Sequence, residues 1–326
     1  MLIKKLPGLL LILTLILTAS ASASPNQRRG SVSLPSADTQ ENISRMKEAV
    51  AEFRNIVHHR ESSMNNSSGN VNTIRIVSLS PIVTENLFSL GLKNNIVGVD
   101  SLSDYFKPSA GITKVATVDT INYEELINLM PDVIIVWNRF YPDLESTVER
   151  LKLPAKIFRF TTERITDYYT AILDLGRITG TLGKASELKE QFAIRINKLR
   201  SQYHNYPSHS VIYILWDDPV YSVSENTWIN DMIEICSGTN PLKKLDVAYP
   251  VIEKEYLLKL QPEIIINATV KKKHLNIPQP LQDRVRELKS VDGTHRISMK
   301  TLDSIEELCE IIHKDDKLYE NPVLDE

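Results

Sequence analysis

The sequence predicts an α/β fold of two related lobes with central, mostly parallel sheets, joined by one long interdomain helix. A repeated helix-Pro-acid-strand segment, matching strand-to-helix junctions, and a long helical pattern between the two halves carry that reading. The segment EELINLMPDVII, starting at Glu124, recurs 131 residues later as EYLLKLQPEIII, starting at Glu255. In both copies apolar residues at i, i+3 (Leu126 and Leu129; Leu257 and Leu260) describe a short helix, and a proline stops it. An acidic residue and a β-branched run then describe a strand buried on both faces, which requires helices above and below the sheet.

The openings of the lobes follow the same grammar. Residues 74–79 read as a strand, and Ser80-Pro81 as a helix start with a capping hydroxyl and a proline at the first turn. Gly91 ends that helix and a second strand follows from Ile96. The second half begins with a strand at 211–215, passes through Asp217-Asp218-Pro219, and continues into a helix at about 227–235 that ends at Gly238. Between them Leu188, Phe192, Ile196 and Leu199 recur at helical spacing. Such an architecture favours a ligand cleft between the lobes, facing the carboxyl ends of the strands.

The chain is expected to divide into a leader (1–23), a polar extension (24–72), a first lobe (73–182), the connecting helix (183–205), a second lobe (206–315) and a polar tail (316–326). Lys4 and Lys5 precede an apolar stretch of 13 residues, Leu6 to Thr18, and an Ala21-Ser22-Ala23 cleavage site. That stretch is shorter than the roughly 18 to 20 residues that span a bilayer. Cleavage after Ala23 takes the formal charge from −3 to −5 and places the mature chain in an exported, oxidising compartment. In the extension, Ile43, Met46, Val50, Phe53 and Ile56 outline one amphipathic helix at about 39–59.

Thirty-eight basic against 41 acidic residues exclude a global electrostatic case for nucleic acid. Nucleophile-elbow, H-E-x-x-H and dinucleotide-binding glycine motifs are all missing. Gly176, Gly180, Gly183 and Lys184 have the wrong spacing for a phosphate loop and read as a turn between helices. The seven histidines form no H-x-H or H-x3-H cluster, so no metal site is expected from local spacing. Neither catalysis nor a catalytic cofactor has support. Aromatic residues Tyr105, Trp137, Tyr221 and Tyr249 instead fall where a cleft is expected, as flat side chains suited to a large planar ligand.

At these positions the sequence resembles the periplasmic cobalamin-binding proteins of ABC importers. These belong to the helical-backbone class of substrate-binding proteins, which also handles siderophores and haem. The resemblance runs over about residues 73 to 315. It is carried by Ser80-Pro81-x-x-Thr84-Glu85, Val99-Asp100-Ser101-x-Ser103-Asp104-Tyr105, Asn122-x-Glu124, Pro131-Asp132-x-Ile134-x-x-Trp137 and Glu234-x-Cys236-x-Gly238. It implies a monomeric, non-enzymatic periplasmic protein that takes up cobalamin and delivers it to a permease dimer in the inner membrane. Ile82, Tyr105, Val118 and Trp137 would line the ligand from the first lobe, and Tyr221, Tyr249, Asp292 and Arg296 from the second. Val118 stands where the cobalamin branch has a tryptophan, Ile82 where it has a small residue, and Tyr249 replaces another tryptophan. A haem or ferric-siderophore receptor of the same fold is therefore the alternative, and an exported two-lobed enzyme acting on a sugar or nucleotide is one of another class. The resemblance also implies permease docking by Glu124 and Glu255, and a Cys236–Cys309 disulfide.

Overall fold

The computed structural model describes residues 74–138, 140–269 and 275–316, apart from the side chain of Tyr105. The leader, the extension with its helix at 39–59, Lys271–Lys273 and all but the first residue of the tail lie outside the described residues. The chain divides into two compact units, with the boundary after Phe160.

The first unit is built on five parallel strands: β1 (Ile76–Ser78), β2 (Ile96–Asp100), β3 (Thr113–Ala116), β4 (Val133–Trp137) and β5 (Lys156–Phe160). Their order is β3-β2-β1-β4-β5, so the winding reverses between β1 and β4. Among the described residues this unit has three α-helices: α1 (Pro81–Ser89), α2 (Tyr123–Asn128) and α3 (Leu144–Arg150). α1 starts as its sequence requires: the Ser80 hydroxyl accepts from the Ile82 amide at 3.3 Å, and Pro81 takes the first turn. Strands β1 and β4 are buried along their whole length, and Val77, Leu126, Ile134 and Val136 are fully enclosed in one apolar cluster.

The second unit carries α4 (Ile165–Thr179), α5 (Leu182–Tyr203) and the strands β6 (Val211–Ile214), β7 (Trp216–Asp217) and β8 (Val220–Tyr221). After them come α6 (Trp228–Ile235), α7 (Lys254–Leu260), β9 (Ile264–Asn267), β10 (Val285–Glu287), α8 (Val291–His295) and α9 (Thr301–Ile312). Parallel β10-β9-β6 form its central sheet, while β7 and β8 make an antiparallel hairpin. Ile212, Ile214, Leu257, Ile265 and Leu281 pack around the sheet.

The sequence reading puts residues 165–179 in the first lobe, whereas α4 packs within the second unit. Asp231 in α6 explains this: its carboxylate accepts from Arg164 Nε and from the Ile165 amide, both at 2.8 Å, and so ties the start of α4 to α6. Farther along, a Cβ on Gly176 would lie 2.4 Å from Ala185 Cβ, so the bare glycine allows α4 and α5 to meet closely. Gly180 ends α4 at φ 74°, which makes this glycine cluster a turn between helices. On α5, Leu188, Phe192, Ile196 and Leu199 form the buried stripe that their spacing predicts, and Ala185 extends it.

The repeat extends down to its hydrogen bonds. Met130 and Gln261 end α2 and α7 at φ 46° and 45°, each directly before the proline. The acid after that proline then caps the incoming neighbour strand: Asp132 accepts from the Arg75 amide at 2.7 Å, and Glu263 from the Ser210 amide at 2.6 Å. The register follows, with Ile76 opposite Val133 and Val211 opposite Ile264.

The Cys236–Cys309 disulfide is formed, joining the end of α6 to α9 across 73 residues of chain. Restricting an unfolded loop of that length stabilises the fold by about 4 kcal/mol in the chain-entropy treatment. Replacing both cysteines by alanine should therefore lower the unfolding free energy in non-reducing urea titrations by about that amount. An unchanged midpoint would show that the bond contributes nothing.

Candidate functional site

In a doubly wound sheet, the chain leaves neighbouring strands in opposite directions at the switch point, opening a crevice at their carboxyl ends. Here that point lies between β1 and β4. Ile82 follows β1 in the first turn of α1, and Trp137 is the last residue of β4, so two expected ligand-lining residues flank it. The segments leaving β2 and β3 carry the other two, Tyr105 at the end of a 3-10 turn (Ser101–Tyr105) and Val118 in the turn after β3. All four first-lobe candidates thus occupy one sheet edge. Ile82 and Trp137 are only 2% and 4% exposed, and Val118 is half-buried. Trp137 stacks on Phe140, with centroids 5.6 Å apart.

A buried chain of hydroxyls fixes the loop that carries Tyr105. Ser78 Oγ lies 2.8 Å from Thr84 Oγ1, which lies 2.9 Å from Ser103 Oγ; Ser103 donates to Asp100 at 2.5 Å. Asp100 also accepts from the Leu102 amide and so caps the 3-10 turn, while Ser109 donates to the Ser103 carbonyl. Ser78 ends β1, Thr84 lies in α1 and Asp100 ends β2. The network therefore locks the turn to both the sheet and the first helix. Thr84, Asp100 and Ser103 stand in the motifs that carry the resemblance, but their sequence spacing does not reveal their shared positioning role. Beside Val118, the Tyr141 hydroxyl donates to the Thr117 carbonyl and braces that turn.

The second unit arranges its candidates at the corresponding edge. Tyr221 lies in β8 of the hairpin and is half-buried. The segment holding Tyr249 runs back against the hairpin: Ser222 and Ser224 amides donate to the Pro250 and Ala248 carbonyls at 3.0 and 2.9 Å. Tyr249 is 9% exposed, and burial, with a smaller contribution from the Glu163 carboxylate, pushes its phenol above the ordinary tyrosine range. Asp292 and Arg296 follow β10 and pair at 3.3 Å, Asp292 exposed and Arg296 buried. Their helix α8 is anchored by Tyr213 donating to Thr294 Oγ1 at 2.6 Å and by Trp228 donating to the Thr294 carbonyl at 2.7 Å. Between Asp292 and Arg296, burial and the adjacent Arg296 charge lower His295 to about 4.

Glu124 and Glu255 are both exposed and both lie in the first turn of their helix, α2 and α7. The helix dipole favours an acid there, and the side chains remain open to a partner.

Burial raises Asp100 from 3.8 to about 6, against the lowering effect of its bonds from Ser103 and Leu102. Between those values the folded protein holds a proton that the unfolded chain releases, so stability falls as pH rises through the window. The shift amounts to about 3 kcal/mol. Asp100→Asn should remove this loss: the stability of the variant relative to the native protein should rise by about 2 kcal/mol between pH 4 and pH 7. Parallel pH–stability curves would show that Asp100 ionises at its ordinary value.

Most of the chain matches known proteins. A family described as periplasmic binding protein matches residues 76–300. A vitamin B12-binding protein of Vibrio cholerae serotype O1 is 27% identical over 243 residues, covering 72% of this chain and 87% of that protein. The crystal structure of the periplasmic vitamin B12-binding protein BtuF of Vibrio cholerae matches at 27% identity with a TM-score of 0.64, over 74% of this chain and 96% of that one. The periplasmic haem-binding protein HutB of Vibrio cholerae shares the fold at 18% identity, with a TM-score of 0.62 over 74% of this chain and 100% of that one.

Proposed function

The chain belongs to the periplasmic binding protein family, and we propose that it captures a corrinoid, cobalamin foremost, in the periplasm and hands it to an ABC importer. The observation that carries this reading is the set of four residues at one sheet edge, Ile82, Tyr105, Val118 and Trp137, beside the β1/β4 switch point. The likeness to vitamin B12-binding proteins supports cobalamin over other large planar ligands. In this reading Tyr221, Tyr249, Asp292 and Arg296 are the ligand-facing candidates that the second unit contributes. Capture makes and breaks no bond in the ligand. Rigid aromatic walls give affinity with little loss of side-chain entropy, and the hydroxyl network around Asp100 and Ser103 keeps the Tyr105 turn in position before the ligand arrives.

Val118, Ile82 and Tyr249 retune the pocket relative to the cobalamin branch, since aliphatic side chains and a phenol replace indoles and a small residue. Val118 and Ile82 keep a haem or ferric-siderophore ligand as the second reading. Delivery falls to Glu124 and Glu255, one carboxylate per unit, matched to arginine pockets on a dimeric permease. Charge complementarity of that kind sets recognition and association rate more than affinity.

Titration with cyanocobalamin, followed by tryptophan fluorescence, should give saturable binding at micromolar concentration or below. Trp137→Ala and Tyr105→Ala should each weaken it by about 1 to 3 kcal/mol. Binding of haem with none of cyanocobalamin would transfer the function to the second reading. Glu124→Arg combined with Glu255→Arg should leave cyanocobalamin affinity unchanged and stop uptake in a transport assay. Uptake at the native rate would remove these acids from the docking surface.

A further inference from the structure

We propose that His209, His313 and Asp316 form a binding site for a divalent cation of the zinc type, a site separate from the transport function. The three side chains each direct one ligand atom to a common point, all within 4.8 Å of one another. His209 Nε2 lies 3.0 and 3.1 Å from the two Asp316 oxygens, and His313 Nδ1 lies 2.7 Å from Asp316 Oδ2. Two imidazoles and one carboxylate are a donor set that suits zinc, with a water as fourth ligand.

The surroundings select the tautomers such a site needs. His313 Nε2 lies 2.6 Å from the Cys236 carbonyl, which can only accept, so this nitrogen carries the proton. In the neutral ring, Nδ1 then turns a lone pair toward Asp316. His209 Nδ1 faces the Glu263 carboxylate at 3.7 Å, which favours a proton on that nitrogen and leaves the Nε2 lone pair toward Asp316. His313 therefore has behind it the hydrogen-bond acceptor that metal-ligating histidines commonly have, and His209 has a carboxylate within range of its charge, outside hydrogen-bond contact. Either a proton shared with Asp316 or a bound cation offsets the repulsion among these lone pairs and the carboxylate, and a divalent cation that binds here displaces any such proton.

A tetrahedral zinc ion with bonds of roughly 2.0 to 2.1 Å separates its ligand atoms by about 3.3 Å. The contacts to Asp316, at 2.7 and 3.0 Å, would open by about 0.3 to 0.6 Å, and the two imidazole nitrogens, within 4.8 Å of each other, would settle toward that same spacing. The His313 ring is also held in place, stacked on Tyr203 at 5.2 Å and edge-on to Tyr206 at 4.8 Å. Asp316 lies 107 residues from His209 in the chain, so no local motif marks the site. A bound ion would clip the chain leading into β6 to the end of α9, next to the Cys236–Cys309 disulfide.

Calorimetry of the tag-free full chain with zinc at pH 7.5 should give one ion per molecule and a higher Tm than in chelator. Asp316→Asn and His209→Gln should abolish both effects, while Glu263→Gln should weaken binding by about 10- to 100-fold. Replacing His58 and His59 by alanine should change neither. The proposal fails if zinc does not bind at 100-fold molar excess, if Asp316→Asn and His209→Gln bind it as the native chain does, or if binding is lost with His58 and His59.

Discussion

The register of one parallel strand pair in each unit governs what lies at the carboxyl edge. In the first unit Asp132 follows the helix-ending Pro131 and accepts the Arg75 amide; in the second, Glu263 follows Pro262 and accepts the Ser210 amide. Each acid satisfies the backbone donor just ahead of the neighbouring strand and sets which residues stand opposite. A slip of one residue would turn every side chain of a buried strand to the other face. Trp137 would then leave the edge, and the junction that orients Ile82 would no longer meet its neighbour. The same interaction recurs in both units, which accounts for a Pro-acid pair shared by two segments that differ at half of their other positions.

From that edge outward, polar contacts between distant segments do the positioning. Ser78, Thr84, Ser103 and Asp100 tie two strand ends, one helix and one turn into a single buried group. Hydrogen bonding holds Asp100 in place, while burial resists its ionisation, so the turn is well fixed at some cost to stability near neutral pH. In the second unit Thr294 has the comparable part, receiving Tyr213 through its hydroxyl and Trp228 through its carbonyl to fix the short helix that carries Asp292 and leads into Arg296. Both arrangements prepare a loop before any ligand is present.

Much of this was legible in the sequence because it is local. Ser80-Pro81 capped a helix as written, the stripe from Leu188 to Leu199 formed α5, and the two helix-Pro-acid-strand segments built equivalent strand pairs. What escaped depends on contacts between distant residues. The affiliation of α4 follows from Asp231, some 66 residues beyond Ile165. Tyr221 joined a hairpin because the returning segment near Pro250 supplies its neighbour with a carbonyl, a pairing that two-residue strands do not announce. Neither the hydroxyl network nor the meeting of His209 with His313 has a periodicity or fixed spacing to betray it.

Native mass spectrometry of the mature chain, mixed with equimolar cyanocobalamin, haemin and a ferric siderophore, bears most directly on the proposed function. The account predicts one dominant complex, carrying a single cyanocobalamin. A dominant haemin or siderophore adduct, or the free chain alone, would contradict it.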